Sequence, residues 1–375
     1  MKKFMITLLA LMPLAVSAQF SSGFYRVQNA KTLRYLRVVD NRASALPAQS
    51  DVDVSALKLV RGFDEKVCYD PNTICYIDQI STYQYNIVVG NLDFHSSTGT
   101  YLDFDPDVPS TAPSGSYIIS GKGTVSGVTI SKKLYDTNFM ADTIADLRTT
   151  GTKDYQYWYV RPVNDNYYIG IKPDFTASFD GAEDRYYTTC YAFYPFTLAS
   201  DMNAYYPIEI SGEYVKVKAV NKTMPAASAM IVECNSSIPK DNKVTPIKSA
   251  SGVSGNMLKG VYFCNDVSGT HRNVTEYKAA TMRVLGKAAD GRLAFVTDSK
   301  LKYIPANKAY LTVPAGTPST LYVVTDIPSG IEQVKADVKL IRKGVYTLSG
   351  QFISETTDGL SKGVYIVNGQ KMVVK

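Results

Sequence analysis

Short runs of β-branched and aromatic residues, separated by turn-forming residues, recur along almost the whole of this sequence. Such runs are GFYRVQN, YNIVVGN, SYIISGK, EYVKVKAV, AMIVEC, LAFVTD, KAYLTV and TLYVVT. Clusters of Gly, Pro, Asn and Asp lie between them, and the chain contains 28 Tyr residues. Runs of this composition with frequent turn signals are typical of strands, and the helical period of 3.6 is scarce. The sequence therefore predicts an all-β protein.

Three segments predict β-hairpins. The segment TMRVLGKAADGRLAFVTD has an Asp-Gly pair at 290–291, and YIVNGQKMVV has an Asn-Gly pair at 368–369, which suits a two-residue turn. The runs VYTL and QFIS flank a Ser-Gly pair at 349–350 and predict a third hairpin. Only residues 141–149, ADTIADLRT, show a weak helical pattern.

The first 18 residues, MKKFMITLLALMPLAVSA, have the composition of a secretory signal peptide. Lys2 and Lys3 precede an apolar stretch that ends in small residues, which predicts cleavage between Ala18 and Gln19. The apolar stretch is shorter than the roughly 20 residues that a spanning helix needs, and no later segment is long and apolar enough. We therefore expect a mature chain that is secreted or held at the outer cell surface, by way of the periplasm.

The charge pattern predicts no nucleic-acid partner. The net charge of the full chain is only +6, and Lys and Arg are scattered among Asp and Glu without a basic run. Nucleic-acid binders usually gather their basic residues into a patch that neutralises phosphates. Together with the absence of a spanning segment, this predicts neither a nucleic-acid partner nor a membrane span.

Changes in composition divide the chain into three blocks after the signal segment 1–18. The first block covers residues 19–180 and ends in the polar stretch TASFDGAEDR. The second covers residues 185–326. A short linker of Pro328, Ser329 and Gly330 then leads to a small tail at 331–375.

The first block resembles the β-trefoil domains of ricin-type lectins. The resemblance is carried by FYRVQNAKTLRYLRVVDN, STGTYLDFD and QYWYVRPVNDNYYIGI, and the last contains a triplet like the family's Q-x-W at Gln156, Tyr157 and Trp158. It implies a β-trefoil-like N-terminal domain and a glycan as ligand. For the second block, the strand pattern predicts a central β-sandwich or barrel-like domain.

The other two blocks resemble parts of exported proteins of Bacteroidota. In the second block, YYTTCYAFYPF, GNMLKGVYFCN and IPANKAYLTVP are similar to a module of unassigned function that recurs in such proteins. The tail, GVYTLSGQFISETTDGLSKGVYIVNGQKMVVK, is similar to C-terminal sorting modules of type IX secretion. The resemblance implies a small C-terminal β-hairpin module whose partner is the outer-membrane secretion machinery.

The five cysteines are an odd number, so at least one has no partner within the chain. Cys68 and Cys75 flank the sequence YDPNTI, whose Asp, Pro and Asn favour a turn, and this predicts a disulfide between them. The alternative is that all five thiols are buried as small apolar side chains.

Three alternating carboxylates suggest a cation site. Asp103, Asp105 and Asp107 project to one face if YLDFDPDVP is a strand, and they are spaced like the first ligands of a calcium loop. Calcium is the one cofactor that the sequence suggests. The alternative is a solvated turn rich in Asp and Pro.

Aromatic residues are dense between positions 155 and 168. Exposed rings there could stack on the faces of sugars while polar neighbours supply hydrogen bonds, which makes the candidate ligand-binding residues Gln156, Tyr157, Trp158, Tyr159 and Asn166. The alternative interpretation places Trp158 in the core, because strand alternation turns one set of these side chains inward.

No HExxH, GxSxG or Walker motif is present, which favours a protein without catalysis. Our leading hypothesis is a binding or adhesion protein that recognises a glycan or a host or cell-surface protein. A hydrolase using dispersed carboxylates such as Asp180, Glu183 and Asp184 is the first alternative, because paired acids need not be neighbours in sequence. A structural component of a surface or matrix is the second.

Overall fold

The computed structural model describes residues 20–39, 57–89, 92–94, 102–106, 108–125, 128–136, 145–148, 153–264, 273–326, 344–348, 350–367 and 370–374. The signal segment with Ala18 and Gln19, and the linker 328–330, lie outside the described residues. The chain divides into two compact units, residues 1–325 and 326–375. Strands dominate both units, so the all-β prediction is confirmed. In the described residues, no helix has the length and apolar character to cross a membrane.

The first eleven strands belong to one sheet. They are β1 Gly23–Asn29, β2 Tyr35–Val38, β3 Leu57–Val60, β4 Cys75–Ser81, β5 Gln84–Val89, β6 Leu92–Phe94, β7 Leu102–Asp105, β8 Tyr117–Val125, β9 Val128–Asp136, β10 Ala145–Arg148 and β11 Tyr157–Pro162. Short 3₁₀ turns lie at Val67–Tyr69, Pro71–Thr73 and Lys153–Gln156.

Six of these strands close into a ring. The hydrogen-bonded order is β1, β4, β5, β7, β8 and β11, and β11 returns to β1 with Val27 opposite Val160. The remaining strands extend from the ring: β2 pairs with β3, β9 with β10, and β6 with β5. Closure gives every ring strand two partners, which removes the exposed edges of an open sheet.

The interior of the ring is filled by apolar side chains that alternate along the strands. Trp158 is fully buried there, and its Nε1 donates a hydrogen bond to the carbonyl of Leu134 at 3.0 Å. Phe104, Ile119 and Ile77 belong to the same core and have no more than trace exposure. A buried indole needs a hydrogen-bond acceptor as well as close packing, and this core supplies both.

The rest of unit 1 forms two further sheets and two further hydrophobic cores. The four-stranded sheet has the order β12 Ile169–Gly170, β20 Lys243–Pro246, β15 Phe196–Leu198 and β18 Thr223–Met224. The ten-stranded sheet has the order β13 Phe175–Ala177, β14 Arg185–Cys190, β19 Met230–Cys234, β16 Asn203–Ser211, β17 Tyr214–Val220, β25 Thr320–Val324, β23 Leu293–Val296, β22 Met282–Lys287, β24 Lys308–Thr312 and β21 Leu258–Val261. A 3₁₀ turn covers Pro239–Asp241.

The ring ends earlier than the first block of the sequence. Its last strand stops at Pro162, and β12 and β13, which the sequence division placed in the first block, pair with β20 and β14. The polar stretch near position 180 marks a loop within the second set of sheets. Composition locates turns, but it does not show which sheet a strand joins.

The described part of unit 2 is one four-stranded sheet with the order β27 Phe352–Ser354, β26 Val345–Tyr346, β28 Gly363–Val367 and β29 Gln370–Val374. Both hairpins predicted for the tail are confirmed, although the turn residues Ser349, Asn368 and Gly369 lie outside the described residues. Several apolar side chains of this sheet are exposed, including Phe352, Ile353 and Val373.

The hairpin across positions 290–291 is also confirmed, as β22 and β23. The weak helical prediction for 141–149 is wrong, because Ala145–Arg148 form strand β10 on β9. The segment has moderate helical propensity, and pairing with an adjacent strand outweighs it.

Candidate functional site

The structure buries three of the five predicted ligand-binding residues, and Trp158 belongs to the core of the ring. Trp158, Tyr157 and Gln156 are 0%, 3% and 5% exposed. Gln156 Oε1 accepts a hydrogen bond from the Tyr135 hydroxyl at 3.1 Å, which holds the amide inside the protein. These three side chains have almost no surface on which a sugar could stack, which agrees with the core interpretation of Trp158.

The other two predicted residues lie nearer the surface. Tyr159 is half-buried, and the guanidinium of Arg161 stands 3.9 Å from the centre of its ring, so one face of that ring is covered. Asn166 is exposed, and its backbone N–H donates to Asn164 Oδ1 at 2.9 Å within a local turn. Neither residue forms a site with the buried triplet.

The proposed calcium ligands lie only partly within the described residues. Asp103 and Asp105 lie on strand β7 on either side of the buried Phe104, as the alternation predicted, and Asp107 lies outside the described residues. Asp103 Oδ1 accepts a hydrogen bond from Gln84 at 3.4 Å. Among the described residues no group of three His, Cys, Asp or Glu side chains is arranged to hold a metal. The calcium site stays a prediction.

The structure does not contain the predicted disulfide, since none of the five cysteines forms one. Cys68 lies in a 3₁₀ turn and Cys75 begins strand β4, and each is buried. The YDPNTI segment forms two successive 3₁₀ turns instead of one tight hairpin. Cys75 packs into the ring core, where burial raises the pKa of its thiol to about 12.

The carboxylates considered for a hydrolase lie on an exposed loop. Asp180 has a positive φ of 49°, and its Oδ2 accepts hydrogen bonds from the backbone N–H and the hydroxyl of Thr325. Asp184 lies 3.6 Å from the ammonium of Lys287, and Glu183 is exposed. This arrangement ties the loop to the end of strand β25.

A cleft of about 580 Å³ lies between the β2–β3 extension of the ring and the neighbouring sheets of unit 1, and we call it the central cleft. One wall comes from strands β2 and β3 and the 3₁₀ turns after them, and the other from β12, β14, β15, β20 and the start of β24. Pockets that hold small ligands measure roughly 300 to 1,000 Å³, so the central cleft is of that size.

The floor of the central cleft is mainly apolar. It is lined by Leu59, Val60, Ile169, Ile171, Cys190, Ala192, Tyr194, Phe196 and Val244. Most of these side chains also belong to the core between β12, β14, β15 and β20. The floor is therefore the side of a packed core that faces the cleft. Packing on the other side of these residues gives the floor a fixed shape.

Charged residues surround the floor. Four basic side chains, Arg37, Lys66, Lys172 and Lys308, and two acidic ones, Asp70 and Asp174, line the central cleft. Asp70 is paired with Arg37, and Asp174 accepts hydrogen bonds from Lys308 at 2.7 and 2.8 Å.

Lys66 and Lys172 form no ion pair within the described chain. The ammonium of Lys172 lies 4.8 Å from the centre of the Tyr69 ring. Among the described residues, the lining therefore carries two basic side chains that have no acidic partner.

Hydrogen bonds hold the two walls together. Asn307, in a left-handed conformation with φ 61°, donates from Nδ2 to Asn72 Oδ1 at 2.9 Å, and Asn72 Nδ2 donates to the carbonyl of Tyr262 at 3.2 Å. Asn72 is 1% exposed, so these bonds form away from water. The fully buried Arg26 donates to the carbonyl of Tyr168 at 2.7 Å and to the hydroxyl of Thr73. The cleft is held in one shape before any ligand arrives.

Two side chains of the floor carry polar groups with strongly altered pKa values. Burial raises the pKa of the Cys190 thiol to about 12, so it is protonated at neutral pH and a poor nucleophile. Burial also raises the pKa of Tyr194 well above its usual value. The Tyr194 side chain is 7% exposed. Its hydroxyl makes no hydrogen bond with the described residues.

No local motif in the sequence indicated this site. Its residues come from segments that are distant in the chain, and those segments that the sequence analysis quoted, such as YYTTCYAFYPF, were quoted for other reasons. The phrase IPANKAYLTVP contains Asn307 and Lys308, but its resemblance implied location alone.

Comparisons with known proteins add little. No protein-family model matches the chain, and no curated protein matches it. Among solved structures, the chain is similar to a mosquitocidal holotoxin, with 10% sequence identity and a TM-score of 0.27. The match covers 77% of this chain and 40% of the toxin chain. So low a TM-score establishes no shared fold.

Proposed function

We propose that this chain is an exported, non-catalytic binding protein that takes a ligand into the central cleft of unit 1. The observation that carries the proposal is the cleft itself: an apolar floor, a charged rim and walls held by buried hydrogen bonds. Preformed concave sites of this size with few polar groups are where proteins usually bind small ligands or the ends of larger ones.

The chemistry of the lining favours binding over catalysis. Both carboxylates of the cleft are held by basic side chains, and its one thiol is protonated at neutral pH. A general base needs a carboxylate or histidine within reach of a substrate proton, and a nucleophile needs a lowered pKa. The cleft supplies positive charge and apolar surface instead.

The ring of unit 1 supports a β-trefoil assignment for the N-terminal domain. Six strands close on themselves, and paired strands β2–β3 and β9–β10 extend from the ring. The resemblance to lectins makes a glycan the natural first ligand to test. The burial of Gln156 and Trp158 directs that test to the central cleft instead of to the triplet.

Export and sorting complete the proposal. The signal segment would take the chain out of the cytoplasm, and the two-hairpin tail would engage the outer-membrane secretion machinery. Exposed apolar side chains on the tail sheet, such as Phe352 and Val373, suit contact with another protein. Edman sequencing of the protein recovered outside the cell should begin at Gln19, and a chain that begins at Met1 in the cytosol would contradict export.

Binding is tested with a variant that fills the cleft. Ala306 lines the cleft and is half-buried, so Ala306→Trp places an indole at its mouth with little cost to the core. Ala219→Trp is the control, because Ala219 is exposed on strand β17 and does not line the cleft. A residue 19–375 chain is screened on a glycan array, by pull-down of cell-surface proteins and by thermal shift with small molecules.

We expect the ligands found in these screens to lose binding to Ala306→Trp and to keep it with Ala219→Trp. Ligands that bind both variants equally would contradict the assignment of the cleft. No binding in any of the three screens would contradict the binding function.

A further inference from the structure

We infer that the ligand of the central cleft is an amphipathic anion, a molecule with one negatively charged head group on an apolar body. This inference rests on the proposed binding function and specifies its ligand class. It differs from the neutral glycan that the lectin resemblance implies, and three features of the lining carry it.

The first feature is the floor. Ile169, Ile171, Ala192, Phe196 and Val244 present aliphatic and aromatic carbon across the base of the cleft. A sugar lying on this surface would leave hydroxyl groups without hydrogen-bond partners, and burying an unpaired hydroxyl is unfavourable. A hydrocarbon or fused-ring body loses no hydrogen bonds there and gains from leaving water. The floor therefore favours an apolar body.

The second feature is the charge at the rim. Lys66 and Lys172 are exposed, line the cleft and form no ion pair with the described residues, whereas Arg37 and Lys308 each have a carboxylate partner. The contact between Lys172 and the Tyr69 ring positions this ammonium without neutralising it. Two uncompensated positive charges above an apolar floor favour a negative head group that stays near the water.

The third feature is the Tyr194 hydroxyl. It belongs to a side chain that is 7% exposed in the lining, it forms no hydrogen bond with the described residues, and it is not among their fully buried unpartnered polar atoms, so it keeps contact with solvent. A hydroxyl that lines a cleft and is bonded only to water can exchange that water for an oxygen atom of a ligand. An oxygen atom on the ligand, on the ring system or at the head group, would accept this hydrogen bond.

The test uses an anionic, apolar fluorescent probe. The probe 1-anilinonaphthalene-8-sulfonate is bound to the residue 19–375 chain and displaced with dodecanoate, dodecan-1-ol, dodecyltrimethylammonium and maltohexaose. We expect dodecanoate to displace the probe at concentrations at least tenfold lower than the alcohol, and the cation and the oligosaccharide to displace it least.

Charge variants locate the binding site. The double variant Lys66→Gln with Lys172→Gln should weaken the binding of dodecanoate by about tenfold and leave that of dodecan-1-ol within about twofold. Lys218→Gln is the matched control, since Lys218 is exposed on strand β17 away from the cleft. Ala306→Trp should weaken both amphiphiles, and thermal unfolding of each variant checks that it is folded.

The outcomes separate the two proposals. Equal affinity for the acid and the alcohol, or no effect of the lysine changes, overturns the anionic ligand class and leaves the binding function standing. Displacement by maltohexaose that Ala306→Trp abolishes replaces the amphiphile with a glycan. Probe binding that Ala306→Trp does not weaken, together with screens that find no other ligand, overturns both the ligand class and the cleft as a binding site.

Discussion

Two regions of unit 1 are rich in features that suggest a ligand, and they have opposite positions in the fold. The segment around Gln156, Tyr157 and Trp158 is dense in aromatic and amide groups, yet these three side chains are buried, Trp158 in the ring core. The central cleft is lined by apolar, polar and charged residues from distant segments, and its floor borders a cavity of about 580 Å³ although most of the floor side chains belong to a packed core.

The difference shows what aromatic density in a strand protein indicates. Aromatic side chains contribute large buried areas, so a closed ring of short strands uses Trp, Tyr and Phe to fill its interior. A binding surface needs apolar side chains that border a cavity. Such side chains occur here where the β2–β3 extension of the ring and the neighbouring sheets leave a gap between them. Four measurements test this contrast between the ring core and the central cleft.

The largest expected effect is on the ring core. Trp158→Ala should lower the free energy of unfolding by about 3 to 5 kcal/mol, because it opens a cavity in a fully buried site and leaves the Leu134 carbonyl without its donor. Denaturant unfolding followed by circular dichroism measures the change, since Trp158 is the only tryptophan. Tyr159→Ala, at a half-buried position next to it, should cost clearly less. A Trp158→Ala protein of normal stability that no longer binds ligand would reverse our assignment of the two regions.

A smaller effect is expected at the hydrogen bonds that close the cleft. Asn72→Ala removes an acceptor for Asn307 and a donor for the Tyr262 carbonyl, and should cost about 1 to 3 kcal/mol of unfolding free energy. It should also weaken binding in the cleft several-fold, because the walls lose their alignment. Asn166→Ala, at an exposed turn, serves as the control and should change stability by less than about 0.5 kcal/mol. Equal effects at the two positions would show that the walls do not depend on Asn72.

Alkaline pH should destabilise the fold through its buried thiols. Burial raises the pKa of Cys75, Cys190 and Cys234 to about 12, whereas an unfolded thiol titrates near 8.5. Between about pH 9 and 12 the unfolded chain has lost these protons and the native chain retains them, so the free energy of unfolding falls as the pH rises. Each thiol contributes a slope of about 1.4 kcal/mol per pH unit, and below pH 8 the effect is absent.

The contribution of the cleft thiol can be separated from that of the others. Cys190→Ala should flatten the decline in unfolding free energy between pH 9 and 11 relative to the unaltered chain, with the buried tyrosines contributing equally to both. Urea unfolding at pH 8, 9, 10 and 11 measures the two curves. Parallel curves would mean that the Cys190 thiol titrates normally and that the floor of the cleft is wetter than described.

The smallest effect is expected at the exposed loop. Asp180→Asn should change the free energy of unfolding by less than about 1 kcal/mol, since asparagine also tolerates positive φ and retains an acceptor for Thr325. No hydrolytic activity should depend on it. A hydrolase activity of the purified chain that this substitution abolishes would restore the enzyme hypothesis.

The sequence predicted the local structure well and the site poorly. Runs such as GFYRVQN and the 290–291 turn were identified because a strand and its turn are encoded within about ten residues. The strand at 145–148 was missed, since its partner β9 decides its conformation. The central cleft contains Lys66, Lys172, Tyr194 and Asn307. Only the packing of the β2–β3 extension of the ring against the neighbouring sheets brings these residues together. Trp158 was a candidate ligand-binding residue, and alternation and size alone supported the alternative interpretation that places it in the core, which its burial bears out.

The pairing of β1 with β11 sets the order of events when this chain is made. Val27 on β1 pairs with Val160 on β11, which is synthesised more than a hundred residues later. The β11 side of β1 therefore has no permanent partner during most of the synthesis of the ring. Contacts so far apart in sequence form slowly because a long loop must first be closed. The ring therefore closes only after its last strand, β11, has been made.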